Sequence, residues 1–228
     1  MNTAQNTLTT DEAEKALKKL HRLAKKGELE VEDLLKLLKT PDAKFVAPLR
    51  EMVKQYDWQP LNDQLVVPFA SWVDVVCLYL EQGVEGLILA AKNKGCFAEL
   101  ALAALPELPT PESFSAFVEI SGVFEPEIGE ENSELAKNFI YELCDASHRL
   151  SKEPIPEALR QQLIPILKKF VLWGDKTGDE SVKVHALVPF RYVGTMADID
   201  FVKAASFNEA HYQGTEKIVI KDIKKRHK

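Results

Sequence analysis

The 228-residue chain holds only three cysteines, ten glycines and twelve prolines, and aromatic residues make up 8% of it. So few cysteines exclude a disulfide framework, and Cys77, Cys96 and Cys144 show neither a CxxC pair nor the cysteine–histidine spacing of a zinc tetrahedron. The low glycine and proline content excludes collagen-like and low-complexity classes. Long apolar runs are missing too. A membrane span takes about 20 apolar residues, whereas the best stretch, Leu65 to Leu80, contains Pro68 and Asp74 and stops at Glu81. Met1 to Thr10 has no Lys or Arg and no apolar core, so no export signal is expected and the expected compartment is the reducing cytoplasm. Neither GxxxxGK[ST] nor GxGxxG occurs, which removes the usual nucleotide cradles.

Positive charge is absent over one long stretch. From Gly95 to Ala136 there is no Lys or Arg, while Glu99, Glu107, Glu112, Glu119, Glu125, Glu127, Glu130, Glu131 and Glu134 contribute nine negative charges. Lys15 to Lys54 carries eleven basic residues against six acids, and Lys217 to Lys228 carries six against Asp222 alone. The net charge of −6 therefore conceals a dipolar chain. An acidic block of this kind is either a solvated face or the footprint of a basic partner, which speeds association by about 10- to 1000-fold.

What is present is helical periodicity, with almost no strand alternation. Thr10 is placed to cap a helix over Asp11 to Lys26, with Ala13, Ala16, Leu17, Leu20, Leu23 and Ala24 on one stripe and Gly27 at its end. Further helices are expected at Val31 to Lys39, Thr40 to Tyr56, Leu61 to Glu81, Val84 to Lys92, Cys96 to Leu105 and Glu112 to Val123. Beyond the loop Phe124 to Glu131, five more follow at Asn132 to Leu150, Pro156 to Trp173, Asp179 to Val193, Met196 to Glu209 and Thr215 to Lys225. Pro48, Pro68, Pro165 and Pro189 each follow an apolar pair, and they are expected to bend helices that curve around neighbours.

Leu163 to Phe170, a polar turn, then Asp179-Glu180-Ser181-Val182-Lys183 and Ala186-Leu187 resemble a HEAT repeat. A second, weaker match runs from Leu34 through Thr40-Pro41-Asp42 to Val53. The resemblance implies an all-α fold, an irregular HEAT-like α-solenoid of about ten to twelve helices. It is expected to form one helical-repeat domain over residues 1–228, with weak breaks at 106–111 and 124–131.

Chemistry-bearing residues are few. Cys144 and His148 stand at i and i+4, yet Phe139, Ile140 and Leu143 beside them suggest that the thiol lines the core. Asp175-Lys176-Thr177-Gly178 matches the phosphorylated tetrapeptide of P-type ATPases in four residues only, and reads as a turn. His21, His185, His211 and His227 lack metal-ligand spacing. No catalytic, cofactor or metal residue is expected, and the chain is not expected to be an enzyme.

The expected function is a non-catalytic protein-binding module, of the kind that a cytosolic immunity or inhibitor protein uses to mask a basic partner such as a toxin. Its expected binding residues are Glu112, Glu119, Glu125, Glu127, Glu130, Glu131 and Glu134, with Trp58 as an exposed aromatic anchor. Two alternatives stand beside it. One is a HEAT-like DNA-binding protein or DNA glycosylase, against which the acidic middle argues, so nucleic acid is not the expected partner. The other is a scaffold or adaptor subunit of a larger complex. No membrane association is expected.

Overall fold

The computed structural model describes residues 10–39, 42–55, 69–108, 111–125, 128, 133–149 and 155–228. Among these residues every regular element is helical and no strand occurs. The chain divides into two compact units, Met1–Pro109 and Thr110–Lys228.

The first unit opens with α1 (Thr10–Lys26), which buries Leu20 and Ala24. Gly27 ends it in the left-handed region, and the Gly27 and Glu28 amides donate back to Ala24 and Leu23. Next come α2 (Val31–Leu35), a 3-10 turn at Lys36–Lys39, another at Ala43–Phe45 capped by Asp42, and α3 (Val46–Gln55). The hub is α4 (Phe69–Lys92), against which α2, α3 and α5 (Ala98–Ala104) pack. Gly83, at φ 67° and ψ −156°, divides α4 into two helical stretches, a conformation that side-chain-bearing residues rarely adopt. Leu34, Leu37, Leu38, Leu49, Val73 and Leu87 are fully buried and build a mostly aliphatic core that also takes in Phe45, Trp72 and Tyr79.

The second unit comprises α6 (Glu112–Phe124), α7 (Glu134–Arg149), α8 (Glu157–Thr177), α9 (Glu180–Leu187), α10 (Phe190–Val193), α11 (Ile199–Ala204) and α12 (Thr215–Arg226). Helix α6 packs on α7 and α8, α7 on α9, α8 on α9 and α10, and α12 on α9, α10 and α11. An aromatic core joins them. The ring of Phe139 lies 5.7 Å from Phe117, 5.2 Å from Phe124 and 5.7 Å from Phe170, and Phe170 continues to Trp173 at 5.8 Å. Where α8 meets α9, only glycine fits: a Cβ on Gly174 would come within 2.8 Å of the Asp179 carbonyl oxygen.

Several sequence expectations change here. Of the four proline sites, Pro68 lies outside the described residues and only Pro165 is interior to a helix. Pro48 falls in the first turn of α3, where its missing N–H costs nothing, and Pro189 separates α9 from α10 and so splits the single helix expected over Asp179 to Val193. Asp175, Lys176 and Thr177 extend α8 rather than forming a loop, and the turn shrinks to Gly178 in the left-handed region and Asp179, whose carboxylate accepts from the Val182 amide at 3.0 Å. The helix expected over Met196 to Glu209 ends at Ala204. A carboxylate from α9 takes the backbone that would have continued it: Glu180 accepts from the Asn208 and Glu209 amides at 2.6 and 2.8 Å.

Candidate functional site

Of the residues expected to bind a partner, Trp58, Glu127, Glu130 and Glu131 lie outside the described residues. The other four belong to the second unit. Glu112 and Glu119, seven residues apart, mark one line along α6, with Glu112 half-buried and Glu119 exposed. Glu125 follows the C-terminus of α6 and pairs with Lys169 of α8, both side chains remaining about half exposed. Glu134 opens α7, where a carboxylate suits the helix dipole, and lies 3.8 Å from Lys137. Lys137 turns mainly to Asp179 at 3.1 Å, and that hydrogen bond raises its pKa.

Glu125 reaches a surface that the sequence reading missed. Pro165, Lys169, Leu172 and Lys176 recur at intervals of three and four along α8, and all four are exposed. Leu172 stands 57% exposed between two lysines, while its neighbours Val171 and Trp173 are buried. A leucine on the solvent side of an otherwise regular stripe was the available signal. Leu172 thus adds an apolar contact one turn from the Glu125–Lys169 pair.

Helix α12 carries the opposite charge. Val219 and Ile223 are fully buried, and the far side holds Lys217, Lys221 and Lys224 at i, i+4 and i+7, with Lys228 just past the helix end. Together with Ile220 and Lys225 they line a shallow groove, and none of the five lysines is paired with a carboxylate among the described residues. The opposite edge of the helix is tied down: Arg226 donates to the Arg191 and Gly194 carbonyls at 2.8 and 2.5 Å, and Arg191 binds Asp222 at 2.6 Å.

The buried polar groups explain how the irregular stretch between α11 and α12 is held. Two backbone amides hold the Glu180 carboxyl below its usual range. Lys183, buried beside it on α9, donates to Asp175 at 2.8 Å and to the Ser206 carbonyl, and its ammonium lies 4.7 Å from the Phe207 ring centre. Asp198 caps the turn before α11 by accepting from the Thr195 amide at 2.9 Å and its hydroxyl at 2.8 Å, and it binds Lys168 at 2.7 Å. Burial pulls the Asp198 carboxyl upward, but these partners outweigh it and lower its pKa.

The pair Cys144 and His148 does come together. The sulfur lies 3.9 Å from Nε2 of His148, whose Nδ1 lies 3.3 Å from the Tyr192 hydroxyl. Burial pushes the Cys144 thiol up to about 12, so near neutral pH it is a thiol and a poor nucleophile. Cys77 is likewise buried, its thiol pushed up to about 11 by desolvation, while Cys96 is exposed, and all three are free. Asp175 of the ATPase-like tetrapeptide is engaged by Lys183.

Among the described residues no helix is long and apolar enough to cross a membrane. The chain matches no known protein-family model, no curated protein and no solved structure.

Proposed function

We propose that the chain is a non-catalytic protein-binding module of the cytoplasm, an irregular HEAT-like solenoid that masks a basic protein partner in the manner of an immunity or inhibitor protein. The observation that carries this reading is the exposed Leu172 one turn from Lys169, which pairs with the half-exposed Glu125. An apolar anchor bordered by charge is the composition of a contact surface, with the apolar group supplying affinity and the acidic side supplying rate. Packing of each helix on its near neighbours in the second unit supports the solenoid. A scaffold role in a larger complex would use the same surface.

The test is kinetic. The partner is isolated by co-purification, and its association is followed by stopped flow at several salt concentrations. Replacing Glu119, Glu125 and Glu134 with Gln should slow association about tenfold at low salt and flatten its salt dependence, because exposed charges act within about 8 Å at physiological ionic strength. Replacing Leu172 with Ser should instead speed dissociation. Unchanged rates in both variants, with unchanged thermal stability, would return this face to ordinary solvated surface.

The lysine stripe of α12 favours a second reading, a HEAT-like DNA-binding protein, since a row of unpaired lysines suits a phosphate backbone. A gel shift with duplex DNA at low salt discriminates the two: binding that disappears when Lys217, Lys221 and Lys224 become Gln supports it, and no shift at low salt removes it.

A further inference from the structure

One turn of α7 gathers three metal-binding side chains of different elements of chemistry. Cys144, Asp145 and His148 occupy i, i+1 and i+4, so the imidazole sits one turn beyond both the thiol and the carboxyl. Their ligand atoms all lie within 4.8 Å of one another. The distance of 3.9 Å from sulfur to Nε2 is close to what one ion requires. With Zn–S of about 2.3 Å and Zn–N of about 2.0 Å, two ligands of a tetrahedral zinc ion stand about 3.5 Å apart. The carboxyl of Asp145 is exposed and on a short side chain, so a change of rotamer brings it into the same shell.

A second feature lies outside the trio. Tyr192, from α10, places its hydroxyl 3.3 Å from Nδ1 of His148, and its ring meets the imidazole edge-on at 6.1 Å. An outer-shell contact of this kind to the far nitrogen orients a ligating imidazole and directs Nε2 at the metal. Here Nε2 faces the Cys144 sulfur. Arg191, which acts on Cys144 from α10, is engaged by Asp222 at 2.6 Å, which reduces its repulsion of a bound ion.

We propose that Cys144, Asp145 and His148 form a binding site for Zn²⁺ on α7, with Tyr192 as its positioning residue. Thiolate and imidazole select zinc over magnesium or calcium, which prefer all-oxygen shells. One thiolate and one carboxylate also match the two charges of the ion. Burial of Cys144 and exposure of Asp145 and His148 set the ion at the rim of the core, with a fourth position open to water. On binding, the S–H bond of Cys144 breaks, its proton passes to solvent, and the sulfur electron pair forms the Zn–S bond, with no change of oxidation state.

The experiment uses the full chain, reduced, with Cys96 replaced by Ser because that exposed thiol would give its own signal. Co²⁺ is the probe. One equivalent should produce a sulfur-to-cobalt charge-transfer band, and one equivalent of Zn²⁺ should abolish it. His148→Gln, an exposed position that leaves the core intact, should weaken Co²⁺ and Zn²⁺ binding at least 100-fold, and Cys144→Ser should remove the band while circular dichroism stays helical. Tyr192→Phe should weaken binding about tenfold with the band retained, which a purely structural tyrosine would not do. No band at one equivalent, or a band that survives in the His148→Gln variant, overturns the proposal.

Discussion

The two units obey one packing rule but differ in what they bury. In the first, the described core is mostly aliphatic, with Phe45, Trp72 and Tyr79 as its buried aromatics, and the single buried charge is Asp33, which accepts from Lys19 at 3.0 Å and Lys36 at 2.8 Å at the junction of α1 and α2. In the second, a phenylalanine cluster is accompanied by buried Glu180, Lys183 and Asp198. The difference follows from regularity. Helices satisfy their own backbone, so the first unit needs little polar help. The stretch from Ala205 to Gly214 in the second unit has no helical ladder, and its amides and carbonyls must find partners elsewhere. Buried charge is thus used where the chain is irregular and packed at once.

That contrast can be broken in three steps. The largest effect should come from Phe139→Ala, which removes the ring that three other phenylalanines meet and should cost about 3–5 kcal/mol, read by urea denaturation. Next is Lys183→Met, which leaves the Ser206 carbonyl without its donor and should cost about 2–3 kcal/mol. Its signature is local: amide hydrogen exchange should accelerate over residues 205–214 and stay unchanged in α4. Equal acceleration in α4 would show that the lysine acts on global stability and not on the irregular stretch.

The smallest effect is the acid one. Asp33 and Asp42 in the first unit and Asp179, Glu180 and Asp198 in the second all have pKa values lowered by folding. For Asp33 and Asp179 burial pulls upward, but lysine and amide donors outweigh it. A lowered carboxyl contributes stability that is complete above its unfolded value, about pH 4, and that is lost as pH falls through the folded value. As pH falls below about 4 the second unit, with three such carboxyls against two, should therefore soften more than the first. Trp173 fluorescence, with Trp58 and Trp72 replaced by Phe, reports the second unit, and Trp72 alone reports the first. Equal midpoints for both probes across this range would remove the distinction.

How far the fold is legible in the sequence depends on the range of the interaction. Helix ends marked by Gly27 and Gly83 could be read because a left-handed residue is a property of one position, whereas the end at Gly178 was expected five residues early, at Trp173. The burial of Cys144 followed from its apolar neighbours Phe139, Ile140 and Leu143. Leu172 could have been noticed as an apolar residue out of phase. The pairing of Tyr192 with His148 could not, since 44 residues separate them. Likewise, the acidic block was visible as a count, but nothing in that count indicated that Lys169 would answer Glu125 from another helix.

The sequence by itself determined that this is a helical protein, where most of its helices begin, and how its charge is distributed along the chain, because propensity, periodicity and composition act within a turn or two. Tertiary structure alone decided that the helix after Met196 stops at Ala204 and that Glu180 and Lys183 go inside. Their partners, Asn208, Glu209 and Ser206, lie 23 to 29 residues away. A local pattern reads a glutamate and a lysine near a helix start as surface. Only the approach of an unpaired backbone segment makes it favourable to bury them.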